Sequence, residues 1–177
     1  MAQKPNDRLQ VAEKAKSPRE LWTDIDWQKL WLSLQARPWS SLAFVPASTG
    51  ASPDFTLRIA VTLARIGIMH LGVPIQVADA TRIPLIRLVQ FKEELARLKD
   101  EGELVLVALS PLADNPVALA LAQAADAALL CILLGDMQSS EAKKTVERLG
   151  AQRFMGSVMF ERDPKGATTN LEGPIRS

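Results

Sequence analysis

Val45-Pro46-Ala47-Ser48-Thr49-Gly50-Ala51-Ser52-Pro53-Asp54 is the stretch on which the architecture of this chain turns. The apolar run that leads into it, Ser41-Leu42-Ala43-Phe44-Val45, reads as a buried strand, and residues 55–71 beyond it read as a helix. Strand, small-residue loop with a glycine, then helix is the arrangement that presents backbone N–H groups to a phosphate. Two positions depart from that chemistry. Pro53 stands where a lysine would neutralise phosphate charge, and it has no N–H to give. Asp54 stands where a serine or threonine hydroxyl would reach a metal ion, and it sets a carboxylate beside the expected anion. Ser48, Thr49 and Ser52 can still offer hydroxyls, although small polar residues around Gly50 are also what any tight strand-to-helix loop uses.

Outward from this loop, apolar runs alternate with amphipathic stretches. Strands are predicted at about 41–46, 73–79, 103–109, 127–133 and 154–160, and helices at about 55–71, 85–100, 115–125 and 139–149. Runs apolar throughout, such as Leu104-Val105-Leu106-Val107-Ala108-Leu109, suit a sheet covered on both faces. The expected fold is therefore three-layer α/β, with a mostly parallel sheet of five or more strands and helices on both sides. Ser17-Pro18-Arg19-Glu20 has the form of a helix start, opening a helix to about residue 35 with Trp27, Leu30, Trp31 and Leu34 along one face. Residues 1–16 are polar and expected to be disordered, 17–160 form one domain, and 161–177 read as a flexible tail with Pro164, Gly166, Gly173 and Pro174.

Composition narrows the function. At 177 residues, with 47% hydrophobic and 23% charged, the chain matches a soluble globular domain. A net charge of +1 gives no basic excess for nucleic acid. Cys131 is the single cysteine and sits in an apolar run, so it reads as a core residue in a reducing, cytoplasmic setting. The polar N-terminus carries no signal-peptide pattern, and no apolar run reaches the ~18–20 residues a spanning helix needs. A place at the membrane would have to come through a partner.

The order of features resembles the deviant P-loop ATPases: the chromosome-partitioning and septum-positioning ATPases, and especially the bacterial tyrosine kinases of capsule and exopolysaccharide export. The likeness covers about residues 17–160. Arg58-Ile59-Ala60-Val61-Thr62-Leu63-Ala64-Arg65-Ile66-Gly67 is similar to the family's Asn-Leu-Ala helix ending at glycine. Val77-Ala78-Asp79-Ala80-Thr81-Arg82-Ile83-Pro84 looks like its second acidic motif, and Ala108-Leu109-Ser110-Pro111 stands at Walker B. Ala124-Ala125-Asp126-Ala127 is similar to the Ala-Asp-Gly motif, and Gly156-Ser157-Val158-Met159-Phe160 resembles the Gly-Val-Val-x-Asn strand end.

By that resemblance, the site is expected to have lost its chemistry. The Walker B carboxylate is replaced by Ala108, one acidic position survives as Asp79, and Phe160 replaces the asparagine that helps read adenine. The chain has no tyrosine, so a C-terminal tyrosine cluster for autophosphorylation is absent. No catalytic residue, metal or cofactor is expected. The resemblance implies a cytoplasmic scaffold or regulator in polysaccharide biosynthesis or export, recruited to the inner membrane face by a protein partner or pairing with itself or an active homologue. Two rivals stand: an ATPase with a rearranged site using Asp79 and the Ser/Thr loop, and a RecA-like accessory protein of cell division or DNA repair.

Other residues read as structural first. His70, the only histidine, falls at a helix end; Asp79 reads as a turn or capping residue, Asp114 as a helix N-cap and Asp126 as a helix-end residue. Trp22, Trp27, Trp31 and Trp39 crowd into eighteen residues, as core rings, as interface anchors, or as both. Arg82, Leu85 and Phe91 belong to a second candidate interface around residues 84–91, which also reads as a plain amphipathic helix.

Overall fold

The computed structural model describes residues 24–135 and 139–161. Segment 1–16, the Ser17-Pro18-Arg19-Glu20 helix start, Trp22 and the tail from 162 lie outside the described residues. The elements run α1 (Ile25–Leu34), β1 (Ser41–Pro46), α2 (Phe55–Leu71), β2 (Ile75–Ala80), a 3-10 turn (Leu85–Arg87), α3 (Leu88–Asp100), β3 (Leu104–Leu109), α4 (Pro116–Ala124), β4 (Ala127–Leu133), α5 (Ser139–Leu149), a second 3-10 turn (Ala151–Arg153) and β5 (Phe154–Phe160). The helix expected to run unbroken from residue 17 is interrupted at Asp24, and α1 begins at Ile25. The backbone at Asp24 is extended, and the Asp24 carboxylate accepts from Asp26 N–H at 3.2 Å. Strand β2 starts two residues later than expected. Gly72, at φ 70°, ends α2 with its N–H on the Ile68 carbonyl (2.9 Å), and the chain needs Val73-Pro74 to turn into the sheet.

The five strands pair in the order β2-β3-β1-β4-β5, every pair parallel. Alternation along each strand divides the interior into two layers. Leu42, Phe44, Leu106 and Ala108 face α1 and α2, where they meet Trp27, Trp31, Ile59 and Leu63. Ala43, Val45, Val105, Val107 and Leu109 face the other side, against Leu95 of α3, Leu121 of α4 and Leu149 of α5. Both faces are thus covered, which is why the central strands read as unbroken apolar runs.

One close approach fixes the first layer. Gly67 leaves room for the Trp31 indole and the Ile75 side chain to press against α2. The indole N–H of Trp31 donates to His70 Nδ1 at 3.1 Å, and its ring meets Trp39 edge-on at 6.3 Å. Phe160 ends β5 in the same layer, edge-on to Phe55 at 5.5 Å and 6.1 Å from Trp27. With all strands parallel, the loops after β1, β2 and β3 open at one edge of the sheet, the edge where α/β folds place their ligands.

Candidate functional site

The loop after β1 is pinned at its root and looser beyond. Ala47 donates its N–H to the Cys131 carbonyl of β4 (2.8 Å) and accepts from Thr145 Oγ1 of α5 (3.3 Å). Ala47 and Ser48 are buried, while Thr49, Gly50, Ser52 and Pro53 are exposed. At the far end, Phe55 N–H bonds to the Ser52 carbonyl (2.9 Å), and the buried Thr56 hydroxyl donates to the Leu109 carbonyl at 2.7 Å. Thr56 thereby ties the first turn of α2 to the end of β3.

Asp54 holds the N-cap position of α2 without capping an N–H through its side chain. Its carboxylate is engaged sideways. The Ser52 hydroxyl donates to one oxygen, and Arg58, one turn into the helix, pairs with the other at 2.6 Å. The Ser52 hydroxyl does most to hold the carboxyl below the usual carboxylate range; partial burial works against it, and Arg58 adds to the lowering. A fixed negative charge therefore sits at the positive end of α2, with a cation already beside it.

The sheet sets Asp79 and Ala108 side by side in register: Asp79 lies across from Ala108, which lies across from Phe44. Ala108 is fully buried among the residues facing α1 and α2. Asp79 closes its own turn, accepting from Thr81 N–H (3.1 Å) and Thr81 Oγ1 (2.6 Å). Phe160 is buried in aromatic contact, so the end of β5 presents hydrocarbon to the interior. Among the described residues no group of three or more His, Cys, Asp or Glu side chains is placed to hold a metal ion, and no helix is long and apolar enough to cross a membrane.

Three expectations need correction. Asn115, not Asp114, caps α4: its side chain accepts from Val117 N–H at 2.9 Å, and Pro116 follows at the first helical position. Asp126 is no simple helix end. It reaches back 86 and 85 residues to accept the N–H groups of Ser40 (3.0 Å) and Ser41 (2.9 Å) and pairs with Lys99 of α3. Trp27 and Trp31 are 4% and 1% exposed, so their rings fill the first layer and offer no face to a partner. The second candidate interface divides differently. Arg82 and Leu85 are exposed, as are Ile86 and Val89, whereas Phe91 packs half-buried on the second layer.

The sequence reading missed a cavity of about 170 Å³ behind the loop root, between Ser48 and Thr49, Pro111 and Ala113 after β3, and Glu141, Lys144 and Arg148 of α5. The basic pair at i, i+4 was visible in the sequence. Its meeting with the loop after β1 was not, because that depends on β1 and β4 lying side by side.

No protein-family model and no curated protein matches this sequence. Solved structures do match it. The kinase domain of Escherichia coli tyrosine kinase ETK is 12% identical, with 94% of this chain and 90% of that one covered at a TM-score of 0.60. The chimerical protein CapA2B2 is 14% identical over 87% and 88% of the two chains, at 0.58. The BceF tyrosine kinase domain is 15% identical over 87% and 81%, at 0.52. At such identities the likeness is one of fold: this chain shares the α/β architecture of these tyrosine kinase domains.

Proposed function

We propose that this protein is a catalytically silent relative of the bacterial tyrosine kinases, working through protein contacts as a scaffold or regulator. The observation that carries the reading is the state of Asp54. An ionised carboxylate, held by Ser52 and Arg58, stands at the helix end where a phosphate would bind, and Pro53 stands in place of the lysine. A phosphate arriving there meets the repulsion of that carboxylate without a lysine to offset it. Support also comes from Ala108, buried at the Walker B position without a ligand atom, and from Phe160, packed into the core where an asparagine would read the base. With no tyrosine in the chain, phosphorylation of a tyrosine cluster in another copy has no acceptor.

By the sequence resemblance to the capsule- and exopolysaccharide-export kinases, the partner in this reading is an active homologue, a second copy, or a component of a membrane export machine, met on its cytoplasmic side. The fold is kept for its surfaces, of which the exposed Arg82, Leu85, Ile86 and Val89 are one. The likeness to tyrosine kinase domains over most of the chain favours this over a RecA-like accessory protein. Thermal unfolding with and without millimolar Mg²⁺-ATP and Mg²⁺-ADP tests it. A ligand at a hundred times its Kd stabilises a fold by about 2.7 kcal/mol, a visible shift. No shift is expected for the natural sequence. A clear shift with the natural sequence would overturn the reading, because nucleotide would then bind in spite of Pro53 and Asp54.

A further inference from the structure

We propose that the cavity between the loop root and α5 is a binding site for a phosphate-class oxyanion, held by Lys144 and Arg148 against the hydroxyls of Ser48 and Thr49. This goes beyond the loss of nucleotide binding and does not depend on it, since the cavity excludes Pro53, Asp54 and the N-terminus of α2.

The case starts from charge. Lys144 and Arg148 stand one turn apart on one side of α5 and line the same concave space. Like charges at i, i+4 repel, so this pairing costs the unliganded helix something that an anion between them would recover. The neighbouring cation on α5 is treated differently: Lys143 pairs with Glu147 at 3.9 Å. Among the described residues Lys144 makes no hydrogen bond or ion pair, and Glu141, three residues before it in the same lining, lies beyond ion-pair distance. Arg148 makes one hydrogen bond among the described residues, from its Nη1 to the Leu112 carbonyl at 3.3 Å. That bond fixes the guanidinium at the cavity wall while most of its N–H groups stay available.

The opposite wall supplies polar groups rather than charge. Ser48 is buried, its position set by the two Ala47 hydrogen bonds to Cys131 and Thr145, and Thr49 follows it at the rim. Pro111 and Ala113 close the third side with hydrocarbon. Two cations, three hydroxyls (that of Thr145 already donated to the Ala47 carbonyl) and one carboxylate leave the lining net positive, the balance an oxyanion requires. Size sets the class. A space of about 170 Å³ is well short of the ~300–1,000 Å³ of pockets that hold drug-sized ligands. It suits a phosphate ion, or the phosphoryl group of a larger molecule whose remainder lies outside.

The test is titration of the full chain with inorganic phosphate at constant ionic strength, chloride being the control. It is read by thermal shift and by the amide resonances of Ser48, Thr49 and Lys144. A parallel titration with phosphomonoesters, O-phosphoserine and glucose 1-phosphate, separates the two sources. Phosphate is expected to bind with a Kd on the order of millimolar and to move those amides, and K144A should weaken it about tenfold. Because Lys144 has no partner to lose among the described residues, K144A is expected to leave the fold intact, and D54N should leave the affinity unchanged. Esters that bind at least tenfold tighter than phosphate would identify a phosphoryl group on a larger molecule; equal affinity would identify the free ion. Absence of binding by all three, or binding that K144A leaves untouched, overturns the proposal.

Discussion

Replacing Gly67 by alanine probes the contact that orders the first layer. A Cβ at this position would fall inside van der Waals contact of Trp31 Cη2 and Ile75 Cδ1, and 2.7 Å from Trp31 Cζ2. Ile75 can turn its terminal methyl away, but the indole cannot bend, and Trp39 stands edge-on behind it. Alanine gains about 1 kcal/mol over glycine as a helix former. Against this, overpacking costs about 1–3 kcal/mol. Displacing the indole also loosens its hydrogen bond to His70, worth about 0.5–1.5 kcal/mol. The net expectation is a loss of about 1–3 kcal/mol, or a Tm lower by about 3–10 °C for a domain of this size. Urea unfolding followed by tryptophan fluorescence and far-UV circular dichroism measures it. Adding W31F removes the atoms that clash, so in that background G67A should cost less or become stabilising. A G67A protein as stable as its parent, or one whose penalty is the same with Phe at 31, would refute the packing argument.

Two further outcomes follow from ionisable groups. Burial opposes ionisation of Asp126, but the Lys99 ammonium and the N–H groups of Ser41 and Ser40 outweigh it and hold the carboxyl below the unfolded value of 3.8. Its stabilisation is therefore complete above that pH and is lost as pH falls through the lowered folded value. The gap in urea midpoint between the parent and D126N should narrow below about pH 4, and a gap independent of pH would count against the clamp. Burial pushes the Cys131 thiol far up from its ordinary range, so the native protein should resist thiol reagents and react only as fast as it unfolds. Rapid modification without unfolding would mean that β4 is not covered as described.

The elements were legible because each carries its own period. The apolar run of β3 gave its element within a residue, and the 27/30/31/34 stripe gave the buried face and the end of α1 but not its start. What escaped was whatever depends on two distant segments meeting. Nothing around Asp126 announces that Ser40 and Ser41 will be its partners, since the contact exists only once β1 and β4 pair. The tryptophan stripe showed an apolar face but not what covers it, and only the placement of α1 against α2 and β5 resolves that. Asp114 and Asn115 are both good caps by type, and the choice fell to Asn115 because Pro116 fits the next position. For the proposed site, Pro53, Asp54 and Ala108 were singled out by residue type alone. Arg58 as the counter-charge of Asp54, and the Lys144–Arg148 side of the cavity, needed geometry.

The strand order also bears on how the chain is made. Strand β1 pairs with β3 and β4, and β2 pairs with β3, so β1 and β2 have no contact as strands. During synthesis from the N-terminus, no rung of this sheet can form until β3 has emerged, roughly sixty residues after β1 is complete. At the ~5–20 residues per second of translation this is an interval of about 3–12 s. Throughout it Leu42, Phe44 and Val45, fully buried at the end, have no strand beside them. Slow codons placed between β1 and β3 would lengthen this exposed interval, and any chaperone that attends the nascent chain has its target there.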